Sequence, residues 1–291
     1  MWFKTRRVPV PELTGRLVVI TGAGSGIGAA TAAAAAARGA RLVLTDVDEQ
    51  RLGTVAARLG SAVALSRPLD VSDVDAVLAL AKDVHAEHGP ADVVMNIAGI
   101  ATWGAVELLA HEQWRRTIDV NLMGPIHLIE AFTPEMITGG RGGHLVNVSS
   151  AAGLVGLPWH APYSASKFGL RGVSEVLRFD LRRQRIGVTL VCPGAVNTGL
   201  VETVDVAGVP ASAREESGLN SLFRRHAIAP ERVAEQILDA VVRNRYLVYT
   251  SPDIRALHAA ERFAPGLYAI GMRLANAWFQ HMMRRQLAVR P

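Results

Sequence analysis

Cysteine is almost absent from this chain. The single one, Cys192, excludes an intramolecular disulfide framework and points to a reducing compartment. Lysine is also scarce: Lys4, Lys82 and Lys167 stand against 28 arginines. No run of ~20 uncharged apolar residues occurs, which excludes a membrane-spanning helix. No cluster of His, Cys and carboxylates has metal-ligand spacing, so no metal is expected. The opening stretch MWFKTRRVPVPELTGR is basic and lacks the apolar centre of a secretion signal, so a cytoplasmic location is expected.

The net charge of +5 is unevenly spread. Residues 1–222 carry 20 Lys+Arg against 21 Asp+Glu, whereas residues 223–291 carry 11 against 5. No nucleic-acid motif accompanies this excess, so no nucleic-acid partner is expected and the basic character belongs to the tail. With 49% hydrophobic residues the chain can bury a sizeable core. Its lone thiol, at an apolar strand end, reads as a buried structural group.

Apolar runs alternate with helical segments along the chain. RLVVITGAG, RLVLTD, AVALSRPLD, ADVVMNIAG, GHLVNVSS and GVTLVCPG read as strands, and RYLVYT as a seventh. Between them lie an alanine-rich helix ending at Gly39, DEQRLGTVAARLG, and SDVDAVLALAKDVHAEHG with its serine cap. A long helix follows from His111, with an irregularity expected near Gly124-Pro125, and then a helix from about Ala161. Near-continuous apolar strands are those covered by helices on both faces. The fold class predicted is therefore α/β, a doubly wound parallel sheet with right-handed crossovers.

TGAGSGIG, Thr21 to Gly28, lies between a strand and a helix, where glycines admit a pyrophosphate and a helix N-terminus favours the anion. Asp46 closes the second strand and would accept hydrogen bonds from ribose hydroxyls while repelling a 2′-phosphate. Neither the glycine turn nor the next residue, Val47, supplies a cation for that phosphate, which favours NAD over NADP. Tyr163 and Lys167 fall four apart on one helix face, and an ammonium there lowers a phenol that ordinarily titrates near ~10. Alone, that spacing reads as surface. Ser150 at the end of the fifth strand and Asn121 inside the long helix change the balance.

In these motifs the chain resembles the short-chain dehydrogenase/reductase family, in its TGxxxGxG and YxxxK form. The matches run in order: Thr21–Gly28, Asp46, Asp70-Val71, NIAG at 96–99, Asn121, VNVSS to Ser150, YSASK, and PGAVNT at 193–198. The resemblance implies a Rossmann-like sheet of about seven strands in a catalytic domain over residues 1–250. Its NAD-binding half would span about 14–150 and its catalytic half about 151–250, with a helical extension at 251–291.

It also implies catalysis by Asn121, Ser150, Tyr163 and Lys167, with Tyr163 as general acid/base. Lys167 would lower the phenol and hold the nicotinamide ribose, Ser150 would hold the substrate oxygen, and Asn121 would anchor a water. Ser149 is the weaker candidate beside Ser150. NAD would be bound by Thr21, Gly22, Ser25, Gly26, Ile27, Gly28, Asp46, Asp70, Val71, Asn96, Ala98, Gly99, Tyr163, Lys167, Pro193, Gly194, Val196 and Thr198.

The substrate wall is expected from ATWGAVE, AAGLVGLPWH and the loop 199–226. The first two offer Trp103, Leu157, Trp159 and His160 beside Ser150. Apolar lining predicts a lipophilic alcohol or ketone, of hydroxysteroid, retinoid or long-chain type. A reductase of small polar carbonyls and a catalytically silent NAD-binding scaffold stay open as alternatives. The family resemblance implies a homodimer or homotetramer.

The tail reads as two helices divided at Pro265-Gly266. Leu267, Ile270, Leu274, Ala277, Trp278 and Met282 share a face, with Arg273, Arg284 and Arg285 beside them. That face either packs against protein or lies peripherally on an anionic membrane.

Overall fold

The computed structural model describes residue 10 and residues 12–198, 204–208 and 227–287. Most of the expected substrate loop 199–226, and the side chains of Met282, Arg284 and Arg285, lie outside the described residues.

The chain alternates from the start: β1 (Leu17–Thr21), α1 (Gly26–Ala37), β2 (Arg41–Asp46), α2 (Glu49–Leu59), β3 (Val63–Pro68), α3 (Val74–His88) and β4 (Val93–Asn96). Two residues, β5 (Thr102–Trp103), pair with a later segment. Then come α4 (His111–Ile118), a π-turn over Asp119–Met123, α5 (Gly124–Thr138), β6 (Gly143–Val148), α6 (Ala161–Asp180), β7 (Ile186–Cys192) and β8 (Asp205–Val206). The described chain closes with α7 (Pro230–Val242), β9 (Leu247–Tyr249), α8 (Pro252–Phe263) and α9 (Pro265–Leu287).

Seven strands form one sheet in the order β3-β2-β1-β4-β6-β7-β9, and every pairing is parallel. Every residue of β1, β6 and β7 is buried, as strands covered on both faces must be. On one face Ala32, Ala35, Val233, Ile237 and Val241 of α1 and α7 pack on Val18, Ile20 and Val191. On the other, Val77, Leu80, Leu128 and Phe132 of α3 and α5 pack on Val19, Val94 and Leu145. Alanines in α1 let that helix approach the sheet closely. It stops at Gly39, whose φ of 76° suits a residue without Cβ while Gly39 and Ala40 donate back to Ala36 and Ala35.

Strand order reverses between β1 and β4, which opens a crevice at the carboxyl ends of the strands. The irregularity expected at Gly124-Pro125 is centred slightly earlier, in the π-turn that contains Asn121. Gly124 is small because a Cβ there would lie 2.7 Å from Cγ2 of Val71. The tail forms the two expected helices. Ile254 of α8 packs on Leu154, Leu190 and Cys192, and Tyr268 of α9 donates to the Gly156 carbonyl at 3.0 Å.

Candidate active site

The crevice is a cleft of about 380 Å³. The turn after β1 forms one end. Gly22 and Gly26 have φ of 68° and 51°, and a Cβ on Gly22 would stand 2.8 Å from Cα of Ala98. A Cβ on Gly28 would overlap the Gly22 carbonyl. Glycine is therefore what lets this turn close on itself and on the turn after β4. Ser25 precedes α1 in extended conformation and its side chain caps nothing, so the first amides of the helix are left to the cleft that Ser25–Gly28 line. Such a terminus is a seat for an anion.

Asp46 is held beside this seat. Its carboxylate accepts from the Gly24 N–H at 2.8 Å and the Asp48 N–H at 2.9 Å. Asp70 and Val71 line the next stretch of wall, with the Asp70 carboxylate accepting from the Ser72 amide and hydroxyl. Ala98 and Gly99 line the floor, and Pro193, Gly194, Val196 and Thr198 line the opposite wall. Gly26 lies so close under Thr198 that a Cβ there would be 3.0 Å from the threonine side chain.

Two expected contacts stand one layer back. The Thr21 hydroxyl accepts from the amides of Ile97 and Ala98 at 3.0 and 3.1 Å, tying the two turns together beneath the cleft. Asn96 is buried, and its amide donates to Asn147 at 2.8 Å. Neither lines the cleft, so both shape it from behind rather than face what it holds.

Ser150, Tyr163 and Lys167 meet at the other end. Ser150 ends the run from β6, accepts from the Ala152 amide at 3.1 Å, and its hydroxyl bonds the Tyr163 phenol. Burial pushes that phenol up, while the Ser150 hydrogen bond pulls it down. Lys167 lies with its Nζ 5.7 Å from the Tyr163 ring centre and donates to the Val148 carbonyl at 3.0 Å. Burial pulls its ammonium down to about 8, so it is charged at pH 7. Ser149 is turned inward, donating to the Lys167 carbonyl at 3.0 Å, which leaves Ser150 as the serine beside the phenol.

Asn121 is fully buried. Its Oδ1 accepts from the Ile100 amide at 2.9 Å, and its Nδ2 donates to the Ile100 carbonyl and the Ser166 hydroxyl. Both amide hydrogens are thus used, and one lone pair of Oδ1 is left for a water. A Cβ on Gly99 would sit 3.1 Å from that oxygen and 3.4 Å from Nζ of Lys167, so the glycine keeps this corner open.

Of the expected substrate wall, Trp103, Leu157 and His160 line the cleft. Trp159 does not. It contributes backbone instead, its carbonyl accepting from the Gly104 amide at 2.8 Å. Cys192 is buried and free, with its thiol pushed up to about 12. Among the described residues no cluster of His, Cys, Asp and Glu could hold a metal ion, and no helix is long and apolar enough to cross a membrane.

The sequence pattern of the short chain dehydrogenase family matches residues 16–207, which span the glycine turn, the serine and the tyrosine–lysine pair. The chain belongs to the short-chain dehydrogenase/reductase family. A Mycobacterium tuberculosis relative named "Probable oxidoreductase EphD" is 36% identical over 255 residues. The match takes in 86% of this chain but 43% of that relative, so this chain spans under half of the relative's length.

The crystal structure of a Burkholderia phymatum short-chain dehydrogenase/reductase in complex with NAD superimposes with a TM-score of 0.80 at 30% identity, covering 88% of this chain and 96% of that one. A metagenomic short-chain oxidoreductase in complex with NADP gives 0.65 at 32% identity, covering 81% and 96%.

This family member also has lining residues that motif matching does not single out. Arg51 and Arg116 both reach the cleft, as does Val204 beside the small β5–β8 sheet. Arg116 and Val120 are four apart, just ahead of Asn121, a helical spacing that marks one face. Arg51 stands one turn into α2, paired with Asp48, and nothing local in the sequence marks it.

Proposed function

We propose that this protein is an NAD-dependent dehydrogenase that interconverts a lipophilic alcohol and its carbonyl compound. The observation that carries the reading is the convergence of Ser150, Tyr163 and Lys167 at the end of the cleft opposite the glycine turn. The residues present fit a dinucleotide: uncapped amides at α1 suit its pyrophosphate, and the Asp46 carboxylate suits ribose hydroxyls while disfavouring a 2′-phosphate. When bound, NAD supplies hydride acceptance and return at the nicotinamide ring.

The chain's own groups handle the proton and the oxygen. Ser150 holds the substrate oxygen, and the Tyr163 phenol exchanges a proton with it. Raised by burial, the phenol keeps its proton at pH 7 and has it to donate. As a base it is supported by the Ser150 hydrogen bond and the Lys167 ammonium. Asn121 fixes the turn through Ile100 against α6, and a water on its remaining lone pair links Lys167 to solvent.

Trp103, Leu157 and Val204 support an apolar substrate. Exposed Phe168, Val176 and Phe179 on α6 support a homodimer or homotetramer through the long helices. On α9 the outward Leu267, Ile270, Leu274 and Trp278, beside Arg273 and the basic end of the chain, support peripheral contact with an anionic lipid surface. The helices α8 and α9 support reading the segment from residue 251 onward as an appended element.

An NAD-reduction screen over hydroxysteroids, retinoids, aliphatic alcohols and small diols tests the reading. Turnover of the apolar members, abolished in Tyr163→Phe with NAD binding retained, is the expected result. Binding of NAD without turnover of any alcohol would leave a scaffold.

A further inference from the structure

His160 is a titratable group of the cleft, beside the Tyr163 end, that this chemistry does not use. It immediately precedes α6 but caps nothing. The residue is 5% exposed, and its ring lies 4.7 Å from the Trp103 ring, 6.4 Å from that of Tyr163 and 6.3 Å from that of Phe279.

Its tautomer follows from its partner. Nδ1 stands 2.6 Å from the Pro158 carbonyl, which can only accept, so Nδ1 carries the hydrogen. Burial pulls the imidazole down to about 4, so it is neutral at pH 7. Nε2 is then a bare acceptor. Among the described residues it has no hydrogen-bond partner, and His160 lines the cleft.

The backbone that presents this ring is strained. Trp159 has φ of 68°, a left-handed conformation that a bulky side chain adopts at a cost, and the Gly104 amide clamps its carbonyl at 2.8 Å. That twist sets His160 at the head of α6, three residues before Tyr163. A strained turn that delivers a neutral acceptor into an apolar wall calls for a donor on the ligand.

We propose that His160 reads a second hydroxyl group of the substrate, on a carbon next to or one beyond the carbinol carbon, through Nε2. The alcohol oxidised is therefore an apolar diol, and its product a hydroxyketone in which the second hydroxyl is kept. An ether or carbonyl oxygen at the same place would face the imidazole lone pair with its own, and is rejected. The proposal rests on the dehydrogenase reading and deepens it.

The test compares three matched substrates: an apolar diol, its mono-O-methyl ether at the second oxygen, and the deoxy mono-alcohol. Wild type is expected to favour the diol over both by roughly tenfold in kcat/KM, the scale of one buried hydrogen bond. His160→Phe lowers kcat/KM for the diol most and brings those ratios to about one. His160→Gln, which retains an acceptor, restores most of the preference. Equal wild-type turnover of all three, or loss of diol and mono-alcohol alike in both variants, would overturn the role of His160 and leave the dehydrogenase reading standing. Absence of NAD reduction with every alcohol in this series and in the wider screen would overturn both.

Discussion

Replacing Lys167 with methionine is expected to abolish turnover and yet stabilise the ligand-free protein. Lys167 is 4% exposed, and burial pulls its ammonium from 10.5 to about 8. At ~1.36 kcal/mol per tenfold, that depression amounts to about 3 kcal/mol of penalty on the folded state near pH 7. Between pH 8 and 10.5 the unfolded chain binds the additional proton, so stability rises with pH across that window. About 2 kcal/mol of the penalty is gone by pH 9.5. Cys192 and Tyr163 work in the opposite sense, because both are raised by burial and the unfolded chain releases their protons first.

Those two groups are present in wild type and variant alike, so the informative quantity is a difference. Lys167→Met also loses the 3.0 Å bond to the Val148 carbonyl, worth about 1 kcal/mol at either pH. Urea denaturation without ligand is therefore expected to find the variant about 2 kcal/mol more stable at pH 7 and nearly equal at pH 9.5. A gap that stays constant between the two pH values would refute the idea that burial depresses this ammonium.

Asp46→Asn keeps an acceptor but removes the charge, so KM for NAD should rise roughly tenfold while KM for NADP falls, aided by Arg51 on the same wall. Unchanged steady-state preference would remove Asp46 as the discriminator. For the tail, Leu274→Asp with Trp278→Asp should abolish co-sedimentation with anionic vesicles and leave soluble turnover intact. Equal sedimentation of variant and wild type would exclude the lipid contact.

The sheet was legible because its strands are apolar on both faces, and RLVVIT or GVTLVC fits no other environment. The glycine turn and the Ser150–Tyr163–Lys167 set were legible because each demands particular residue types at fixed spacing. Depth was not. Thr21 and Asn96 carry the same motif signal as their neighbours, and only the parallel register shows that their side chains turn inward to Ala98 and Asn147. The β5–β8 pair joins segments about a hundred residues apart through two residues each, too few for a period. The π-turn at Asn121 and the left-handed Trp159 are tertiary impositions on residues that would not choose them.

Beneath the cleft, Asn96 donates to Asn147, its register partner on the adjacent strand, and Asn147 donates to Ser174 on α6 at 2.9 Å. This buried line joins the strand that leads to the floor residues Ala98 and Gly99, the strand that leads to Ser150, and the helix that bears Tyr163 and Lys167. Sliding β4 against β6 by one residue would face Asn96 with Val146 or Val148 and Asn147 with Met95 or Ile97, and strand both amides without water. The spacing between the two ends of the site is thus set where no ligand reaches. In a chimera built from two relatives, this amide ladder, rather than the cleft wall, is the joint that must be matched.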